Sequence, residues 1–193
     1  IADLAQDRED LSSTDCYQTI AFHGGEVALE TGRICERVGV STRLAELLAL
    51  AGRLHDWGKC HPAFQSNIVS AGPGRRDLAK APRDAWVARN QLYKTEDGRR
   101  RGFRHELASA LGCFELLAKH DATHPALLGG FGEAIAVGAI EPVLPVERDA
   151  GPIGAELAGL SADEFDLVVY LVVSHHGKLR ASWHASPHDQ DFL

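Results

Sequence analysis

Every segment of this sequence that reads as a strong amphipathic helix carries a histidine on its apolar stripe or at one end. Over Tyr17–Val38, the residues Ile20, Val27, Ile34 and Val38 recur at helical spacing, and His23 falls between Ile20 and Val27 on that face. Over Thr42–Asp56, with Ser41 as N-cap, Leu44, Leu47, Leu48, Ala51 and Leu54 form a wide stripe, and His55 closes it four residues after Ala51. His105 opens a third helix that runs to His120 on Leu107, Ala108, Leu111, Phe114, Leu117 and Ala118. The last helix, Ser161–His176, ends in His175 and His176, four residues after Leu171 and Val172. Its valine-rich run could be a strand by periodicity alone. The capping box of Ser161 and Glu164 decides for helix, and Gly177 follows as the stop.

Burying imidazoles is costly unless their lone pairs are satisfied. One inward histidine commonly finds a hydrogen-bond partner. Five of them beside Asp56 form a set that a metal centre satisfies at once, because neutral imidazole is a common ligand of transition metals. The helices must therefore pack so that these positions converge.

Between the helices, Asn67–Pro82 reads as a loop around Gly72, Pro73 and Gly74. Asp84–Tyr93 is expected as a short helix, and Thr95–Gly102 as an exposed basic stretch. Thr123–Leu160 is rich in Gly, Ala and Pro, and is expected to hold one short helix near Leu127–Val137 and then a long loop. No strand is expected, and the reading is an all-α domain of long helices and long loops. His61, His120, His124, His184 and His188 lack helical context with the others and are expected at the surface, and Trp57 is expected to pack.

At 193 residues the chain suits one domain and can bury roughly 70% of its unfolded surface without a disulfide. The net charge of −7 argues against a generally basic nucleic-acid wrapper but leaves room for a local patch. Arg99, Arg100, Arg101 and Arg104 form one such run, readable as a solvated loop or as a guide for a phosphate backbone. Lys178 and Arg180 either complement the end of the last helix or contact DNA. The longest apolar run, Leu167–Val173, is far short of the roughly 18 residues of a membrane span, so no membrane role is expected. Ile1–Asp15 has no signal-peptide pattern, and Cys16, Cys35, Cys60 and Cys113 contain no C-x-x-C pair. The cysteines read as reduced thiols of a cytoplasmic protein.

The run His55-Asp56-Trp57-Gly58-Lys59 has its own chemical logic. Neighbouring side chains on a helix diverge by about 100°, but at a helix end the backbone can open and aim both at one centre. A carboxylate has two oxygens and can bridge two cations. Gly58 is expected to let the chain turn sharply, and Lys59 to set beside the metals an ammonium that suits a phosphate oxygen.

His23 followed by His55-Asp56 resembles the signature of the HD phosphohydrolase superfamily. The ordered set His55-Asp56-x-Gly58-Lys59, Phe64-Gln65, Arg104-His105-Glu106 and His175-His176-Gly177 is similar to the HD nuclease domain of the CRISPR-associated type I helicase-nuclease, from about His23 to Arg180. That resemblance implies a compact HD-domain helical bundle. It implies one metal held by His23, His55 and Asp56, and a second held by Asp56, His105, His175 and His176, with Asp56 bridging. Lys59 is implied beside the scissile phosphate. The family also supplies a late Asp to the first metal from a further helix; here Asp189 and Asp191 are candidates by proximity only. The absence of Met and the early end at Leu193 are read as a domain cut from a longer helicase-nuclease chain.

The reaction implied is phosphodiester hydrolysis of DNA, single-stranded by preference, in antiviral CRISPR interference. Two divalent ions about 3.5–4 Å apart suffice for it without a nucleophilic side chain. Histidine-rich sites favour Mn, Fe, Co or Ni over Mg. The implied partners are single-stranded DNA, the helicase domain of the same longer chain and a Cascade-type complex. Two alternatives stand beside this reading: an HD phosphodiesterase of nucleotides or cyclic nucleotides, and a non-catalytic docking module.

Overall fold

Thr19 starts the first helix, its hydroxyl accepting the Phe22 amide at 3.1 Å. Helix α1 then runs Ile20–Val38 and stops at Gly39, whose φ of 77° is the left-handed conformation glycine adopts without strain. In this computed structural model, residues 13–69, 75–86, 92–95, 98–101, 104–141 and 150–176 are described, by their backbone alone at 13, 92–95 and 98–101. Ser41 caps α2, Thr42–Leu54, and a 3-10 turn at Trp57–Cys60 leads into α3, Pro62–Gln65. Helices α4, His105–His120, α5, Pro125–Leu128, α6, Phe131–Ala136, α7, Gly151–Ala158, and α8, Ala162–Ser174, follow. The fold is all-α in class, with α1 packed on α2, and α4 packed on the 3-10 turn, α7 and α8.

The core is the convergence of the inner faces of α2, α4, α7 and α8. Leu54, Cys113, Leu117, Leu157, Phe165, Val168 and Val172 are all fully buried there, and each such side chain stabilises by roughly 1.5–3 kcal/mol in transfer terms. Trp57 packs against this cluster, as expected. The Ser161–Glu164 capping box is present at the start of α8. His120 and His61 are exposed, the latter capping α3 through Nδ1, which accepts the Ala63 amide at 3.1 Å.

The α1 stripe differs from the expected one. Ile20, Gly24 and Cys35 are buried, whereas Ile34 and Val38 are 53% and 72% exposed. The face is set by backbone contact rather than by the largest side chains: a Cβ on Gly24 would lie 2.5 Å from the Arg53 carbonyl oxygen of α2. Glycine here lets two helices approach more closely than side chains would allow.

Five expectations for the segments between the long helices are corrected. The expected loop over Asn67–Pro82 contains a strand, Leu78–Pro82. It lies between Ser13–Thr14 (β1) and Gln18–Thr19 (β2) and is β3 of that small sheet. The expected helix over Asp84–Tyr93 is a 3-10 turn, Arg83–Ala85, then a bridge from Trp86 to Ile68 and strand β4, Leu92–Thr95. The basic stretch is strand β5, Gly98–Arg101, in an antiparallel hairpin with β4. Strands of two to five residues are too short for a period-two pattern to register. Helix α7 lies where a long loop was expected, because Gly151, Pro152 and Gly154 read as breakers in isolation. The expected helix at 127–137 is two, interrupted at Gly129 and Gly130.

His124 is not a surface residue. It is 4% exposed and caps α5 through Nδ1, while Nε2 lies 2.8 Å from the Leu160 carbonyl. Accepting at Nδ1 leaves the proton on Nε2 for that carbonyl.

Candidate metal centre

The backbone of α2 ends at Leu54, and His55 is its C-cap. Asp56 then leaves the helix with φ −101° and ψ 8°. This break turns Asp56 to the same centre as His55. The helix interior would have held the two side chains about 100° apart.

Gly58 does not make the turn by an unusual φ. Its role is clearance: a Cβ there would stand 2.1 Å from the His105 carbonyl oxygen and 2.8 Å from the Ser109 amide. The motif's glycine thus lets the His-Asp turn sit directly on the first turn of α4, which brings His105 to Asp56.

Asp56 is buried at the middle of the arrangement. Its Oδ2 lies 3.5 Å from His23 Nε2, 3.3 Å from His55 Nε2 and 2.9 Å from Lys59 Nζ. Its Oδ1 lies 3.2 Å from His105 Nε2 and 3.9 Å from His175 Nε2. His176 Nε2 is 3.1 Å from His105 Nε2. Two sets of ligand atoms result, each within 4.8 Å: His23, His55 and Asp56, and His105, His175 and His176. All six expected ligands are therefore brought together.

The donor set fits a metal. The Nδ1 atoms of His55 and His175 each lie 2.7 Å from a backbone carbonyl, of Gly52 and Val172. Donation there fixes the tautomer and leaves the Nε2 lone pair facing the centre. His175 Nε2 is buried with no hydrogen-bond partner. A buried orphan of this kind is costly, and a cation would satisfy it.

The charge states suit ligation as well. Burial, reinforced by the Lys80 charge, lowers the His23 pKa to about 4. Burial likewise lowers His175 to about 4. Both are neutral at neutral pH. Burial pushes the Asp56 carboxyl up, but the adjoining His105 and His55 rings and the Lys59 charge outweigh it and hold it well below the usual carboxylate range.

Lys59 is buried, with Nζ also 3.4 Å from the Ala79 carbonyl and 5.2 Å from the centre of the Phe64 ring. Phe64 in turn meets the His105 ring edge-on at 6.0 Å. Gln65, which had no chemical role in the sequence, is a staple. Its Nε2 donates to the carbonyls of Lys59 at 2.6 Å and Leu78 at 2.8 Å, tying the 3-10 turn to β3.

Two residues near the centre escaped the sequence reading. Lys80, half-buried on β3, lies near enough to Asp56 and His23 for their charges to interact. Ser109 is fully buried and bonds the His-Asp turn. Lys80 lies in a stretch read as loop, and Ser109 is one of many small residues on α4. Arg104 precedes α4 and pairs with Glu106, Nε to Oε1 at 2.5 Å. Arg99, Arg100 and Arg101 lie on β5 opposite Lys94, Tyr93 and Leu92 of β4. Lys178, Arg180, Gly177, Asp189 and Asp191 lie outside the described residues, as do His184 and His188. The four cysteines are free, with Cys35 and Cys113 buried. No described helix is long and apolar enough to cross a membrane.

A family model described as "Cas3, HD domain" matches residues 25–192. No curated protein and no solved structure matches the chain.

Proposed function

This chain belongs to the Cas3 HD-domain family of CRISPR-associated HD nucleases, and from that premise we propose that it hydrolyses phosphodiester bonds of single-stranded DNA with two divalent transition-metal ions. The observation that carries the reading is the division of Asp56, one oxygen toward His23 and His55 and the other toward His105 and His175. One carboxylate shared by two imidazole clusters suits a dinuclear site, because each of its two oxygens can serve one ion.

His23, His55 and Asp56 would hold one ion, and Asp56, His105, His175 and His176 the other. Bound ions would supply Lewis acidity at the phosphate and at an attacking water. The chain's own residues prepare that chemistry. Val172 and Gly52 carbonyls orient the rings of His175 and His55. Lys59 keeps Asp56 ionised and sets a cation beside any phosphate oxygen held there. The imidazole-rich donor set favours Mn, Fe, Co or Ni over Mg.

The ribbon of β4 and β5 supplies the DNA contact. Its register sets Lys94 opposite Arg99, with Arg100 and Arg101 following, and β4 lies against α3, the helix directly after the His-Asp turn. Like charges opposite each other weaken an isolated ribbon, and a phosphate backbone relieves them. Arg104, Lys178 and Arg180 are further basic residues proposed to contact DNA. The protein acts as the nuclease domain of a longer cytoplasmic helicase-nuclease chain, on DNA delivered by a Cascade-type complex in antiviral defence.

Labelled single-stranded DNA, incubated with the protein across a panel of divalent metals, tests the reading. Cleavage with Mn, Co or Ni and little with Mg is expected. Hydrolysis of cyclic nucleotides without DNA cleavage would replace it with the small-molecule reading. Inactivity on both, in protein loaded with two ions, would leave a docking module.

A further inference from the structure

Ser109 makes a set of contacts that no local helical bonding explains. Its Oγ lies 2.8 Å from the carbonyl of His105, four residues back on α4, which is ordinary for a helical serine. The same Oγ accepts the Gly58 amide at 2.7 Å and lies 2.7 Å from the His55 carbonyl. Those two groups belong to the His-Asp turn, on a different element. A hydroxyl has one proton and two lone pairs. It takes the Gly58 proton and gives its own to either carbonyl.

The two carbonyls belong to ligands of different clusters. The His55 ring lies with His23 and Asp56, and the His105 ring with His175 and His176. One fully buried oxygen therefore touches the backbone of one ligand from each set, and the glycine between them in space. The clusters cannot separate without breaking one of its bonds.

We propose that Ser109 is a positioning residue that fixes the spacing of the two histidine clusters by tying α4, which carries His105, to the Gly58 amide and the His55 carbonyl of the His-Asp turn. The inference rests on the dinuclear reading above. Without the hydroxyl each cluster keeps its own side chains, so one ion still binds. The second must then pull the two elements into register, and its affinity falls. Loss of a residue that orients ligands from behind typically weakens metal binding about 10–100-fold.

The test is titration with Mn alone, followed by electron paramagnetic resonance, on wild type, Ser109→Ala and Cys113→Ala. Cys113 is equally buried on α4, but it belongs to the apolar core. Expected is a Ser109→Ala protein that keeps one binding event, weakens the other about 10–100-fold and loses the exchange-coupled signal of paired ions. Cys113→Ala, with a comparable loss of melting temperature, should keep both events and the signal. Should Ser109→Ala not fold, Ser109→Cys is read the same way. Unchanged affinities and coupling in the serine variant would overturn the inference, and so would equal weakening in Cys113→Ala. Wild-type protein that binds fewer than two ions would overturn the dinuclear reading itself, and this inference with it.

Discussion

Asp56 Oδ1 lies 3.2 Å from His105 Nε2, so the carboxylate that follows α2 meets the first residue of α4. The other oxygen lies 2.9 Å from the buried Lys59 ammonium. Among the described residues Asp56 is thus surrounded by a cation and four imidazoles, with no carboxylate in contact to repel it. Removing it should cost stability rather than relieve repulsion.

Asp56→Ala is therefore expected to abolish DNA cleavage and also to destabilise the metal-free protein. Removing one partner of a buried ion pair costs about 3–5 kcal/mol. Adding Lys59→Met should recover most of the lost stability and none of the activity. Chemical denaturation of the single and double variants measures the first effect, and an unchanged midpoint in Asp56→Ala would remove Lys59 as its counterion.

Gly58→Ala should be destabilising at a position that looks permissive. The added Cβ meets backbone atoms of His105 and Ser109, which cannot swing aside. A cost of about 1–3 kcal/mol is expected, together with loss of cleavage as α4 is pushed from Asp56. A thermal melt indistinguishable from wild type would show that the turn is not seated on α4 in this way.

Replacing Arg99, Arg100 and Arg101 by Ala should weaken single-stranded DNA binding and leave metal content unchanged. Each lost phosphate contact reduces the slope of log K against log salt by about 0.7. Fluorescence anisotropy over a salt series gives the slope, and one equal to wild type would return the ribbon to solvent.

Far from the metal centre, Glu164 accepts from Arg43 at 2.6 Å and 2.9 Å and caps α8 through the Ser161 amide. The Arg43 hydrogen bond, followed by the Ser161 amide, lowers the Glu164 pKa from 4.5 to about 2. The unfolded chain therefore binds more protons between these values, and stability falls as pH falls through them. Melting temperature in metal-free protein should drop over that window, and Glu164→Gln should flatten part of the drop. Superimposable pH profiles would contradict the linkage.

Legibility in the sequence followed the length of each element. The α4 bounds, His105–His120, agree with periodicity because a long stripe outweighs local noise. The five histidines and Asp56 proposed as ligands stand out in the sequence because imidazoles on apolar faces need a reason to be there. Gln65 and Ser109 were not, because their work is done on backbone carbonyls, which no side-chain pattern records. Gly58 was noticed for the wrong property: its value is the approach of α4, a contact between segments distant in sequence. The Ile34 and Val38 error has the same origin, since Gly24 rather than a large side chain sets the buried face of α1.

Anomalous diffraction from crystals soaked in Mn tests the sharing of Asp56 most directly. Two peaks are expected, one bounded by His23, His55 and Asp56, the other by Asp56, His105, His175 and His176. A single peak, or two peaks of which one does not touch Asp56, would contradict that sharing.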